Sequence, residues 1–178
     1  KATSHAKKGE TKEARQLYES VLKSFPQNKR AQQGLAALSY PYAVASQEPP
    51  QSIINNMITH YNEGLLTVAL ELARTLTQQF PKFLTAWTIL GAANKRLGKM
   101  NEAAVAFEKL VQLAPDNAEA HYNLGVILKH QEKLEEALTS YHRAIHLKPD
   151  YAAAYNNIGF CFEQQGKMKD AIEAYKSA

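Results

Sequence analysis

Histidine and cysteine are the side chains here best able to ligate a metal or attack a substrate. His142 and His146 stand four residues apart, a spacing that can place two imidazoles on one helical face as metal ligands. No HExxH frame surrounds them, and no acidic or thiol third ligand accompanies them, so the pair reads as a solvated helix face. Cys161 lies between Phe160 and Phe162. A nucleophilic thiol needs a base and an electropositive setting. The sequence nominates neither, and Cys161 reads as a small buried hydrophobe. GxSxG elbows, phosphate-cradling glycine loops and paired CxxC zinc motifs are absent from the chain. The expectation is a protein that is not an enzyme and holds no cofactor and no metal.

Side-chain amides are the more informative group. Asn123 and Asn157 are 34 residues apart, and Asn55 lies two such steps before Asn123. An amide offers both a donor and an acceptor, so a line of them can pair with an extended peptide backbone without reading its side chains. Whether these residues form a line depends on the elements that carry them.

Those elements repeat. Pro81, Pro115 and Pro149 share the same 34-residue period, as do Gly91, Gly125 and Gly159, and Ala69, Ala103, Ala137 and Ala171. The units run 50–83, 84–117, 118–151 and 152–178, the last one short. In the third unit, His121, Leu124, Gly125 and Leu128 mark one face of a first helix. Leu134, Ala137, Leu138, Tyr141, Ala144 and Ile145 mark a second. Pro149 ends it, and Asp150, like Asp116 and Asn117 one unit earlier, is placed to cap the helix that follows. Gly64, Gly98 and Gly166 fall in the turn between the two helices, where a left-handed residue is needed, and Glu132 replaces glycine in the third unit. Gly91, Gly125 and Gly159 leave room for close approach of another backbone, with Trp87, Tyr155, Phe107, Tyr141 and Tyr175 filling the space beside them.

A helical wheel on the first helix puts positions 4, 7, 8 and 11 of the unit toward the core and positions 2, 6, 9 and 13 away from it. Position 6 then holds Asn55, Ile89, Asn123 and Asn157. Position 9 holds Ala92, Val126 and Phe160, apolar yet turned outward. Tyr122, Asn156, Lys95 and Lys129 flank these columns.

The columns resemble the tetratricopeptide repeat (TPR), a 34-residue helix–turn–helix unit. Unit two carries Trp87, Leu90, Gly91, Ala103, Phe107 and Pro115, with Asn94 departing at the second aromatic place. Unit three carries Leu124, Gly125, Ala137, Tyr141, Ala144 and Pro149, and unit four Tyr155, Ile158, Gly159, Phe162, Ala171, Tyr175 and Ala178. Unit one is weaker, with Asn56 and Met57 in place of Leu-Gly. The resemblance implies an all-α, right-handed α-solenoid whose first helices line a concave groove for peptide or protein segments. Its groove residues would be Asn55, Asn123, Asn157, Asn156, Tyr122, Lys95, Lys129, Val126 and Phe160. The asparagine row is similar to the one in the TPR superhelix of O-linked N-acetylglucosamine transferases, where asparagines hold substrate peptide. Asparagine as ordinary repeat consensus is the alternative. Lys95 and Lys129 also resemble part of the TPR arrangement that clamps a C-terminal carboxylate, although the full set is not apparent.

The N-terminal part is out of phase. Gly9, Ala14, Tyr18 and Pro26 resemble the second half of a repeat, and Leu35 falls where the next first helix carries leucine. PYAVASQEPP then intervenes with no periodicity. The expected organisation is an N-terminal helical segment over 1–40, a proline-containing linker over 41–50 and a TPR array over 51–178.

Composition narrows the partners. Residues 1–30 hold eight Lys/Arg against three Glu, whereas residues 31–178 hold thirteen Lys/Arg against fourteen Asp/Glu. A nucleic-acid surface needs its cations on the body of the fold, so nucleic acid is not the expected partner. No apolar run approaches the roughly 20 residues of a membrane span. No signal-peptide pattern opens the chain, although a leader could have been removed before Lys1. The single cysteine fits a reducing compartment, and a cytoplasmic location is expected.

The expected function is a non-catalytic protein–protein interaction scaffold. A second reading resembles the TPR arrays that precede bacterial sulfotransferase or glycosyltransferase domains, with the chain acting as a substrate-recognition module. A third is a self-assembling scaffold. The last unit lacks a polar capping helix, so the chain is expected to be part of a longer protein or to self-associate through that repeat.

Overall fold

The computed structural model describes residues 11–38 and 48–178. Among the described residues all regular structure is helical, and the helices fall into two compact units divided between residues 46 and 47.

The first unit pairs α1 (Thr11–Ser24) with α2 (Lys29–Leu38) around Tyr18 and Ala31. Pro26 lies in the turn, and the Asn28 side chain accepts from the Ala31 amide at 3.0 Å. Gln32 donates to the Pro26 carbonyl at 2.7 Å. The same six-residue reach recurs in the second unit: Trp87 donates to the Pro81 carbonyl at 2.9 Å, and His121 Nε2 lies 3.0 Å from that of Pro115. A carbonyl only accepts, so His121 carries its proton on Nε2 and acts as a packing donor. The shared bond identifies α1 as a helix of the second type and α2 as one of the first. Gly9, and the stretch 41–50 as far as residue 47, lie outside the described residues. Pro49 is buried and Pro50 caps the helix that follows.

The second unit holds eight helices: α3 (Gln51–Asn62), α4 (Leu66–Gln79), α5 (Leu84–Arg96), α6 (Met100–Leu113), α7 (Ala118–His130), α8 (Leu134–Leu147), α9 (Ala152–Gln164) and α10 (Met168–Lys176). Odd numbers are first helices and even numbers second helices, and each packs on the next in sequence. The second helices α4, α6 and α8 end where proline demands it. Phe80, Ala114 and Lys148 leave the helical region immediately before Pro81, Pro115 and Pro149. First helices end in a left-handed residue, at φ 77 for Gly64, 72 for Gly98 and 73 for Gly166. The amide that follows reaches back to close the turn, as Lys99 does to the Asn94 carbonyl at 2.9 Å. Glu132 keeps this conformation at φ 62 without a glycine.

Two local expectations are corrected. Asn117 caps α7 by accepting from the Ala120 amide, but Asp150 does not cap α9. The capping place equivalent to Asn117 is Tyr151, one residue later, and Asp150 stays in the proline turn. Gly91, Gly125 and Gly159 face an aromatic ring of the same unit's second helix, not a backbone. A Cβ on Gly125 would stand 2.6 Å from Tyr141 Cε1, and one on Gly91 2.8 Å from Phe107 Cζ.

These seats sit inside a core that runs from unit to unit. Leu138 and Tyr141 of α8 pack with Ala154, Ile158 and Cys161 of α9. Phe107 and Leu110 of α6 pack with Ala120 and Ile127 of α7. Leu138 is 5% exposed beneath α9, whereas its equivalent on α10, Ile172, is 50% exposed. Cys161 is fully buried, and burial pushes its thiol pKa up. His142 and His146 are exposed on α8.

Two substitutions test this account by chemical denaturation. Glu132→Gly removes the Cβ penalty of the left-handed turn and should raise stability by about 1 kcal/mol. Tyr141 is fully buried, and its hydroxyl has no hydrogen-bond partner among the described residues. Burial holds its pKa far above the ordinary phenol value. Unit two uses Phe107 on the equivalent seat. Tyr141→Phe should therefore be neutral or stabilising, by up to about 1 kcal/mol, because an unsatisfied buried group is removed.

Candidate segment-binding face

First helices of neighbouring units touch, α3 with α5 and α7 with α9. No pair of second helices meets to that extent among the described residues. Helices that approach one another line the inner side of a stack, so the first helices carry the face on which a ligand would lie.

The structure places the position-6 residues unequally. Asn55 is exposed and accepts from Gln51 of its own helix at 2.9 Å. Asn123 and Asn157 are half-buried. Ile89 is 8% exposed, within the core cluster that holds Ile53, Met57 and Leu76, so the outward position expected for it is corrected. The cause is what stands 28 residues earlier. Before Ile89 that residue is Tyr61, which packs on the same cluster and carries Arg96 5.2 Å over its ring. Before Asn123 and Asn157 it is Lys95 and Lys129.

Those lysines reach across units. Lys95 Nζ donates to Asn123 Oδ1 at 3.0 Å, and Lys129 Nζ donates to Asn157 Oδ1. Each amide is also engaged at its other end. Asn123 Nδ2 donates to the Glu119 carbonyl at 3.0 Å, and Asn157 Nδ2 donates to that of Ala153 at 3.0 Å and to the Tyr122 hydroxyl at 3.3 Å. The row is therefore a set of inter-unit clasps, with both amide ends occupied in the free protein.

The other groove residues divide in the same way. Tyr122 is half-buried, 4.8 Å from the Tyr151 ring and 5.9 Å from that of Tyr141. Val126 is half-buried against the core around Ile158. Asn156 is exposed. Phe160 is 40% exposed, with the Lys129 ammonium 4.8 Å over its ring. The structure thus brings Tyr122, Lys129, Asn157 and Phe160 together, and Lys95 with Asn123. Asn55 stands apart from both sets.

Neither Lys95 nor Lys129 has a carboxylate partner among the described residues. Burial pushes the Lys95 pKa below its ordinary value, and Glu119 acts in the opposite direction. The position equivalent to these lysines in the fourth unit is Glu163, which accepts from the Tyr175 hydroxyl at 3.0 Å. Wheel reasoning missed the clasps because it treats each helix alone. The signal was available by comparing two columns: lysine at position 12 precedes asparagine at position 6 of the next unit, and tyrosine precedes isoleucine.

No group of three or more potential metal ligands occurs among the described residues, and none of the described helices is long and apolar enough to cross a membrane.

Comparison with known proteins agrees with the repeat geometry. The family described as TPR repeat matches residues 91–132 and 127–166, and that described as tetratricopeptide repeat matches residues 1–28. A crystal structure of MamA is similar in fold at a TM-score of 0.68 and 23% identity, covering 99% of this chain and 91% of that one. A MamA RS-1 double mutant is similar at a TM-score of 0.70 and 21% identity, covering 94% and 91%. No curated protein matches the sequence. The chain belongs to the tetratricopeptide repeat family.

Proposed function

We propose that the chain is a non-catalytic interaction scaffold that holds an extended protein or peptide segment along its first helices. The observation that carries this reading is the grouping of half-buried amides, ammonium groups and rings on α5, α7 and α9. Donors and acceptors on Asn123, Asn157 and Tyr122 can meet a peptide backbone, while Val126 and Phe160 supply apolar contact. The same face suits nucleic acid poorly. The first helices of the array hold Lys95, Arg96 and Lys129 against Glu119 and Glu163, too few cations to follow a phosphate backbone.

An array of extended peptides probed with the wild-type chain and with the Asn123→Ala/Asn157→Ala variant tests the reading. Loss of two amide partners should weaken binding about five- to tenfold or more, with helicity by circular dichroism retained. Unchanged binding by a folded variant would assign the asparagines to the repeat architecture alone.

A further inference from the structure

With every clasp closed, the face still has hydrogen-bonding capacity, and it is distributed unevenly. A primary amide has two N–H groups and two oxygen lone pairs. Asn123 uses one N–H on the Glu119 carbonyl and one lone pair on Lys95. Among the described residues its other N–H and other lone pair have no partner, so this one side chain can meet both a peptide carbonyl and a peptide N–H. Asn157 cannot. Its two N–H groups go to the Ala153 carbonyl at 3.0 Å and to the Tyr122 hydroxyl at 3.3 Å, and Lys129 takes one lone pair. Asn157 is left able to accept one more bond and to donate none.

The missing donor is on Tyr122. An amide nitrogen does not accept, so in its contact with Asn157 the hydroxyl oxygen accepts and the hydroxyl proton is left over. No acceptor for that proton occurs among the described residues. A hydroxyl that accepts one hydrogen bond is polarised into a stronger donor for the next. The ring is also held in place, its centroid 4.8 Å from that of Tyr151 and 5.9 Å from that of Tyr141. A donor ordered before binding loses little freedom when it is used.

The residue one unit before Tyr122 explains why the two asparagines differ. It is Thr88, whose hydroxyl donates to the Leu84 carbonyl of its own helix at 3.1 Å. Thr88 takes no bond from Asn123, and Asn123 keeps its second N–H.

We infer that Tyr122 is a specificity-determining residue whose hydroxyl donates to a backbone carbonyl of the bound segment, while Asn157, with Lys129 still on it, accepts a backbone N–H. Asn123 serves another peptide group of the same segment with its own donor and acceptor. The inference rests on the segment-binding reading above and assigns the groups that do the binding. It also defines the ligand as an uncharged stretch of backbone, because no ammonium is drawn off its amide.

Fluorescence anisotropy on the whole 178-residue chain, with a labelled dodecapeptide of repeating Ser-Val as probe, tests the assignment. Tyr122→Phe keeps the ring and should weaken binding about five- to tenfold, with helicity by circular dichroism retained. Tyr122→difluorotyrosine makes the hydroxyl a stronger donor and a poorer acceptor, and should tighten binding about twofold. Salt should have little effect, since the lysines stay on their amides. Unchanged or weaker binding by the difluorotyrosine variant would show that the hydroxyl only accepts from Asn157, and would overturn the inference. Unchanged binding by Tyr122→Phe would do the same. If Asn123→Ala/Asn157→Ala still weakens binding in either case, the segment-binding reading stands. Affinity that falls steeply as salt rises would place the lysines on the ligand and overturn the inference as well. Failure of the peptide to bind the wild-type chain would overturn both the inference and the reading it rests on.

Discussion

The rest of the array depends on an aromatic ring seated against a bare stretch of helix. Tyr141 on Gly125, Phe107 on Gly91 and Tyr175 on Gly159 are the same contact three times. With the ring in place, the second helix lies close enough to the first for Ala137 and Ala144 to be buried completely. Any Cβ on the glycine would force the ring outward, and the second helix with it. Well-packed interiors do not absorb such shifts locally. The next first helix rests on that second helix through Ala154, Ile158 and Cys161. In units two and three the seat therefore sets where the following first helix lies, and so whether Lys95 reaches Asn123 and Lys129 reaches Asn157.

That dependence explains which features were legible in the sequence. The 34-residue columns gave the helices, the proline ends and the left-handed turns, because each is decided within one unit by the conformational limits of proline and glycine. Features decided between elements were harder to read. The glycine columns announced a close approach and Phe107, Tyr141 and Tyr175 beside them, but the approach itself was expected from a backbone, whereas the rings make it. Asp150 reads as a cap from residue type, yet the chain enters α9 at Tyr151. The wheel turned Ile89 outward because it had no neighbouring helix in it, whereas in the fold Ile89 packs within the cluster that Tyr61 lies against. The residues expected to line a groove could be read only as a set of types on one helical face. Their pairing could not be read, since it links residues 28 apart that belong to different units.

The pairing divides the inner face into two chemical parts. Between units one and two the facing columns are tyrosine and isoleucine, with Arg96 stacked on Tyr61 and donating to its carbonyl at 3.1 Å. That part is packed and offers little to exchange. Between units two and three, and again between three and four, the columns are lysine and asparagine. The same fold position is thus used for apolar packing at one end and for polar contacts toward the other.

A polar contact at a half-buried helix junction is a weak stabiliser, because desolvation of the ammonium offsets much of what the hydrogen bond returns. Its larger effect is on the readiness of the face. Lysine carries close to the maximum side-chain entropy, and ordering it on binding is costly. Lys129 is already held over Phe160 and against Asn157, with Asn157 fixed in turn by Tyr122 and Ala153. A ligand that reuses those positions meets side chains whose freedom was given up when the chain folded. A ligand that cannot take the ammonium is left with the second lone pair of each amide oxygen, or displaces the ammonium and leaves it half-buried without that acceptor. On the segment-binding proposal, the clasp that adds little to stability would act on the choice of ligand instead, through the repeat spacing that the ring-on-glycine seats impose.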